Sequence, residues 1–395
     1  MNFSGVGLGL RPIARTILLA SFALFHFVAF AGAQIYATRA PHALLIDADT
    51  GTVLFAKEEN AQIPPASLAK LMTMEVVFNA LKNGQLNMSD TFLISEDAWR
   101  RGGANSGGST MFAKLKSDVP LEDLVRGVII QSANDACIAI AEGMAGSEIA
   151  FAGLMNQRAR AIGLSGSHFT NSTGLPDPLQ HVTITDLAKL ARHIIQTYPQ
   201  YFRFYSETEF TWNNITQRNR NPLLRMGIGA DGMKTGYTEE SGYAIVGTVK
   251  RNDQRLIAVM SGMESDGERA EESRKLLDWG SRAFEKLRLF EDGEIIGEAN
   301  VYGGEKSGVG VAGKGPVDIY LPIGFRDKLK ARIAYTGPLM PPVEQGAQVA
   351  TLKVWIGDTL SQETPLYAAE TVVRGGLKRR AIDAIKELLL GRIPL

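Results

Sequence analysis

The chain has 395 residues and a single cysteine, Cys137, so no intrachain disulfide can form whatever the redox state of its compartment. Its five histidines include His42, His168, His181 and His193, scattered without the spacing of a metal-ligand set, and no metal or other cofactor is expected. Neither sign of charge dominates: 42 Lys and Arg balance 42 Asp and Glu. The folded part has no stripe of Lys and Arg interleaved with aromatics, which argues against nucleic acid as a partner. A Gly-x-Ser-x-Gly elbow and a Gly-Lys-Ser/Thr phosphate loop are both missing. Gly-x-Gly-x-x-Gly occurs at Gly227, Gly229 and Gly232 and again at Gly308, Gly310 and Gly313. Neither run follows a strand and opens a helix, so both read as turn glycines.

What is present begins with a leader. Arg11 and Arg15 precede an apolar run from Thr16 to Phe30, and Ala31-Gly32-Ala33 has the small-x-small pattern of a cleavage site. The run is short for a membrane span. Residues 1–33 are therefore expected to be a secretory signal, and their removal takes away two arginines and no acids.

The length allows two or three domains. Residues 42–57 alternate around the turn signal Asp49-Thr50-Gly51, which predicts a hairpin. Pro64-Pro65 ends it, and Leu68, Leu71, Met72, Val76 and Phe78 have helical spacing, which places Ser67 in a first turn. Residues 102–109 read as a Gly/Ser/Asn loop. Helices are predicted over Leu121–Ile130, Asp135–Met144, Glu148–Ile162 and Asp186–Ile195, the last capped by Thr183 or Thr185. A hairpin between Gly242 and Gly262 and a helix from Glu268 to about Leu287 follow. The reading is an α+β domain over 34–288, its antiparallel sheet built from both ends of the segment. Short alternating runs at Ile319–Leu321, Lys330–Tyr335, Val349–Ile356 and Glu370–Val373 predict a small β-rich domain over 289–374. The tail, 375–395, puts Leu377, Ala381, Ile382, Ile385, Leu388 and Leu389 on one helical face, as in a helix lying on an anionic membrane.

Three short strings carry chemistry. Ser67-Leu68-Ala69-Lys70 sets a hydroxyl and an amine on one helix face, because positions i and i+3 are neighbours there. Burial and a second cation would lower the Lys70 pKa and let it act as a base. Ser132-Ala133-Asn134 lies between helices, where its hydroxyl could relay a proton and its amide bond a substrate backbone; equally, Ser132 or Asn134 could cap the following helix. Lys234-Thr235-Gly236 leads into a hairpin and should lie on a sheet edge, cationic and open to an extended substrate. Together they are the parts of a serine acyl transferase that works without histidine. A Ser67–His181–Asp186 triad is a competing arrangement.

These strings are also the signature of penicillin-binding proteins and class A β-lactamases. With Pro65-Ala-Ser-Leu-Ala-Lys-Leu-Met-Thr73, Ser132-Ala-Asn-Asp-Ala-Cys137, Phe169–Leu175, His181–Leu187, Arg220–Leu224 and Asp231-Gly-Met-Lys-Thr-Gly236, the chain resembles the low-molecular-mass penicillin-binding proteins that act as serine D-alanyl-D-alanine carboxypeptidases. The resemblance implies a transpeptidase/β-lactamase-like domain, a β-rich second domain and an amphipathic anchor on the periplasmic face of the inner membrane. It implies Ser67 as nucleophile, Lys70 as base, and Ser132 and Asn134 at the leaving group and substrate amide. Lys234, Thr235 and Arg220 would meet the terminal carboxylate, beside Gly236. Peptidoglycan stem pentapeptides and β-lactam antibiotics would be the ligands. Tyr237 stands where the family often has histidine; its backbone N–H could still complete an oxyanion hole with that of Ser67. Two rival readings are a β-lactamase, for which no Glu-x-x-Leu-Asn segment is found, and an inactive wall-binding scaffold.

Overall fold

The alternation of residues 42–57 folds as the predicted hairpin. β1 (His42–Asp47) and β2 (Val53–Lys57) pair antiparallel, and the Asp47 carboxylate closes the turn by accepting the Thr50 N–H and hydroxyl, each at 2.8 Å. This computed structural model describes residues 36–251 and 253–390, with side chains to residue 384. The leader read at residues 1–33 lies outside the described residues.

Helix α1 (Lys70–Lys82) is buried over almost its whole circumference, from Lys70 to Phe78 without a break, as its near-continuous apolar sequence requires. Around it pack α2 (Asn134–Ala145), α3 (Glu148–Ala161) and α4 (Ile184–Thr197). Thr183 caps α4 by accepting from the Asp186 N–H. The one acid within α1, Glu75, is fully buried and accepts from Arg158 of α3 at 2.6 Å and Tyr198 at 3.1 Å, which ties three helices together.

The sheet is completed by β3 (Ala230–Thr238), β4 (Gly242–Arg251) and β5 (Gln254–Met263), in the order β2-β1-β5-β4-β3. Side chains of a strand alternate between faces. Leu44, Ile46, Ile257 and Val259 accordingly join the helical core, whereas Ala43, Leu45, Leu256 and Ala258 join a second core under α5 (Asp266–Gly280). A sheet covered on both faces buries strand residues without a break, so β1, expected to alternate, is instead buried continuously from Ala43 to Asp47.

One predicted helix is shorter than expected. α5 stops at Gly280, where any Cβ would come within 2.4 Å of Leu45, and residues expected to extend the helix to Leu287 form β6 (Phe284–Phe290). β6 pairs with a strand thirty residues on, and its cations Lys286 and Arg288 converge on Asp318 at 2.9 and 2.7 Å. That distant pairing overrides the local helical spacing.

The C-terminal part is β-rich. β7 (Gly297–Asn300), β8 (Gly308–Ala312), β9 (Val317–Pro322), β10 (Leu329–Ala334), β11 (Gln348–Ile356) and β12 (Thr359–Ala368) give a five-stranded sheet, β7-β8-β12-β11-β10, beside the pair β6-β9. β12 is absent from the alternating runs of the sequence, because Pro365 and its polar residues hide it; the two-residue turn Gly357-Asp358 is the signal it carries. The expected strand Glu370–Val373 contributes only an isolated bridge from Val372 to Val343. Gly227 and Gly229 sit at positive φ in a turn and Gly308 and Gly310 lie in β8, so neither glycine run opens a helix. Helix α6 (Leu377–Leu390) follows, and its Asp383 is buried and accepts from the Gly303 N–H at 3.0 Å. Leu377 remains 81% exposed and Ile382 41%. Among the described residues no single helix is long and apolar enough to cross a membrane.

Candidate active site

Ser67 lies in a one-turn 3-10 helix, Ala66–Ala69, that runs directly into α1. Ala66 takes φ 45°, a left-handed conformation that costs an alanine about 1–2 kcal/mol. Strain of this kind persists only where the surroundings over-determine it, and it clusters at functional sites. The Lys70 ammonium, one turn on, donates to Ser67 Oγ at 2.9 Å and to the Thr173 carbonyl at 2.5 Å. Lys70 is 1% exposed.

The second string is shaped by a residue just beyond it. α2 begins at Asn134 with Ala133 as a cap that has no side-chain bond, so neither Ser132 nor Asn134 takes the capping role open to it in sequence. Asp135 turns away to accept from Thr110 Oγ1 and from the N–H groups of Met111 and Ala113 at 2.6, 3.0 and 3.2 Å. Ser132 is held at φ 61°, and its buried hydroxyl has no partner among the described residues. Asn134 is anchored through its backbone N–H to the Ser109 carbonyl at 2.8 Å.

Lys234, Thr235 and Gly236 lie on β3, the edge strand. A Cβ at Gly236 would come within 3.2–3.3 Å of Ala66, Leu68 and the Ser67 nitrogen, so glycine lets the sheet edge close on the nucleophile's turn. Gly174 is more constrained: its φ is 81° and a Cβ would sit 1.9 Å from the Ala66 carbonyl oxygen. Gly174→Ala is therefore expected to destabilise the protein by about 2–4 kcal/mol in a thermal or urea melt and to displace the Ser67 turn.

Ser67, Ser132, Asn134, Thr235 and Gly236 share one cleft, whereas the buried Lys70 and Lys234 lie behind its walls, Lys234 Nζ donating to the Thr235 carbonyl at 2.9 Å. Ser67, Ser109, Arg220 and Tyr237 line both of two adjoining cavities, of about 340 and 710 Å3. The smaller adds Asn134, Thr173 and Leu175, and the larger adds Ser132, Thr235, Gly236 and Arg269. The predicted loop supplies Gly107, Gly108 and Ser109, although Ala104–Ser106 within it is a single 3-10 turn. His181 and Asp186 line neither cavity: His181 bridges to His168, and Asp186 accepts from Gly166 N–H and Ser167 Oγ at 2.8 Å. The triad reading is thereby set aside.

Sequence reasoning missed Arg269. It lies on the buried face of α5, leans on the Tyr243 ring, pairs with Asp266, and keeps its Nε without a partner among the described residues. A lone arginine in a charge-rich helix gives no warning in sequence; only the packing of α5 shows which cation turns inward.

The electrostatics follow from three cations around the cleft: Lys70 and Lys234, which are buried, and Arg220, which lines it. Burial, with Arg220 adding to it, pushes Lys70 down to about 8. The Cys137 thiol beside it is itself pushed up to about 12 by burial and stays protonated, so it offers Lys70 no anion. Burial first, then repulsion from Lys70 and Arg220, holds Lys234 well below the ordinary lysine range. Burial also lowers Arg220, whose Nε is tied to the Gln131 carbonyl at 3.0 Å. Such a site gains most from an anion, and its arrangement of hydroxyl, amine and positive edge suits acyl transfer to a carboxylate-bearing peptide. Among the described residues no three His, Cys, Asp or Glu side chains are placed to hold a metal.

Residues 29–265 match the family model described as D-alanyl-D-alanine carboxypeptidase, and residues 284–374 match that of the penicillin-binding protein 5 C-terminal domain. The chain is 37% identical over 381 residues to D-alanyl-D-alanine carboxypeptidase DacC of Escherichia coli, covering 94% of this chain and 95% of that one. Among solved structures, it resembles penicillin binding protein 5 from Haemophilus influenzae with a TM-score of 0.73 and 35% identity, over 86% of this chain and 99% of the other. Penicillin binding protein 6B from Escherichia coli is similar with a TM-score of 0.65 and 34% identity, over 84% and 96% of the two chains.

Proposed function

Since the chain belongs to the D-alanyl-D-alanine carboxypeptidase family of penicillin-binding proteins, we propose that Ser67 forms an acyl-enzyme with peptidoglycan stem peptides and releases their terminal D-alanine. Neutral Lys70 takes the Ser67 proton as Oγ adds to the carbonyl carbon of the penultimate D-alanine. The N–H groups of Ser67 and Tyr237 hold the oxyanion, and Asn134 bonds the substrate amide. Ser132 passes a proton to the departing amine as the C–N bond breaks, and the Lys70 ammonium replaces that proton, which returns the lysine to its neutral form. Water then adds to the ester carbonyl, gives its proton to Lys70, and expels Ser67 Oγ, which is reprotonated. Thr235, Lys234, Arg220 and Arg269 receive the terminal carboxylate. Penicillins acylate Ser67 in the same way. The observation that carries this reading is the 2.9 Å contact between Lys70 Nζ and Ser67 Oγ, with Ser67 opening into a cleft that Arg220 and Arg269 also line.

The decisive assay is release of D-alanine from a stem pentapeptide. Arg269→Gln is expected to raise KM about 10- to 100-fold with a smaller change in kcat, since a charged hydrogen bond to the carboxylate is lost. An unchanged KM would exclude Arg269 from that contact. The β-lactamase alternative lacks a base there: of the acids after the second string, Asp135 is committed to Thr110, Met111 and Ala113, Glu148 to Ser172 and Arg101, and neither they nor Glu142 line the cleft. Rapid penicillin turnover would restore that alternative. The leader at residues 1–33 directs the chain to the periplasm, and α6, with Leu377 and Ile382 outward, attaches it to the inner membrane surface.

A further inference from the structure

The amine of Lys70 is held by a backbone carbonyl, and the segment that presents this carbonyl is gripped from behind. Ser172 donates its N–H and its hydroxyl to Glu148 Oε1 at 3.2 and 2.7 Å, while its own carbonyl accepts from Thr73 Oγ1 of α1 at 2.7 Å. Asn171 Oδ1 gathers the Thr173 and Gly174 N–H groups at 3.2 and 2.8 Å, closing the turn that carries the Thr173 carbonyl. Glu148 is the first residue of α3, with a side chain only 10% exposed. Its other oxygen meets Arg101 at 2.9 Å, and Arg101 also pairs with Asp97 at 2.9 Å. Burying a carboxylate is costly unless it is paired and hydrogen-bonded. Both Glu148 oxygens are taken up by Ser172 and Arg101 and the residue lines neither cavity, so its bonds serve the segment behind the lysine.

We infer that Glu148 is a positioning residue for the reaction: through Ser172 it fixes the Thr173 carbonyl, and through that carbonyl the Lys70 amine opposite Ser67. The inference rests on the carboxypeptidase reading of Ser67 and Lys70. Glu148 has a second, electrostatic effect. The groups facing Lys70 are Cys137 and Asp135 from α2, Glu148 from α3, Arg220 from the segment before Pro222, and Lys234 from β3. Asp135 and Glu148 are the acids that favour protonated Lys70. Removing the Glu148 charge eases deprotonation of the lysine, so the acid limb of kcat/KM moves to lower pH.

The test compares wild type, Glu148→Ala, Glu148→Gln and Ser172→Ala for acylation by a fluorescent penicillin, D-alanine release across pH, and thermal stability. Glu148→Ala should slow acylation on the order of 100-fold, as small misplacements of a base do, with KM changed less than about threefold. Glu148→Gln keeps an acceptor for Ser172 but no charge. It should recover acylation to within about threefold of wild type while its acid limb lies at lower pH. Ser172→Ala should fall between them. If Glu148→Ala does not fold, Ser172→Ala decides, because it removes the hydroxyl that Glu148 grips and leaves the Arg101 pair in place. A wild-type acylation rate in folded Glu148→Ala, or in Ser172→Ala where Glu148→Ala does not fold, overturns the inference. A wild type that neither labels nor releases D-alanine overturns the carboxypeptidase reading itself, which keeps the two failures apart.

Discussion

Ser67→Ala is expected to release D-alanine at roughly 1/1,000 of the wild-type rate or less and to take no covalent penicillin, because removing a nucleophile leaves only binding and oxyanion stabilisation. The structure offers poor substitutes. Cys137 is buried and protonated, and the Ser132 hydroxyl is not the one bonded to Lys70. Stability should change by less than about 1 kcal/mol, since Ser67 Oγ makes one described bond and is not part of a core. Mass spectrometry of the penicillin adduct reads the outcome directly. An adduct that persists in Ser67→Ala and maps to Ser132 would move the nucleophile and sink the assignment.

Lys70→Ala should be almost as damaging, slowing acylation on the order of 1,000-fold or more, because the attacking hydroxyl loses its base. Lys70→Arg should be no better, since a guanidinium stays protonated throughout the working range. The pH dependence supplies a sharper check. Burial places Lys70 at about 8, and the amine is competent only when neutral. Below that value the proton remains on nitrogen, so kcat/KM of the wild type should fall about tenfold per pH unit as the pH drops. Above it the limb should flatten. A profile flat from pH 6 to 9 would show that Lys70 is not the base whose protonation controls acylation.

Legibility differed sharply between residues. The hairpin at 42–57, α1 and the cap at Thr183 follow from neighbours in sequence, and they appear where their periodicity and turn residues put them. Residues 284–290 do not, because their helical spacing yields to pairing with Val317–Pro322. β12 was obscured for a similar reason: Pro365 and its polar side chains look unlike a strand until β11 supplies the partner. In the cleft, the capping role open to Ser132 and Asn134 was closed by Asp135, whose carboxylate binds a loop more than twenty residues away.

Taken by itself, the chain's order of residues determined the chemistry of the pair Ser67 and Lys70, because their meeting needs only one turn of helix. It likewise determined the continuous apolar runs that bury both faces of the central sheet. Tertiary structure alone decided that Arg269 turns inward, that the Thr173 carbonyl holds the lysine, and that Glu148 stands behind it. Those contacts join segments some 25 to 100 residues apart. Local propensity carries no information about which distant segment will pack beside which; that choice is made only when the cores close.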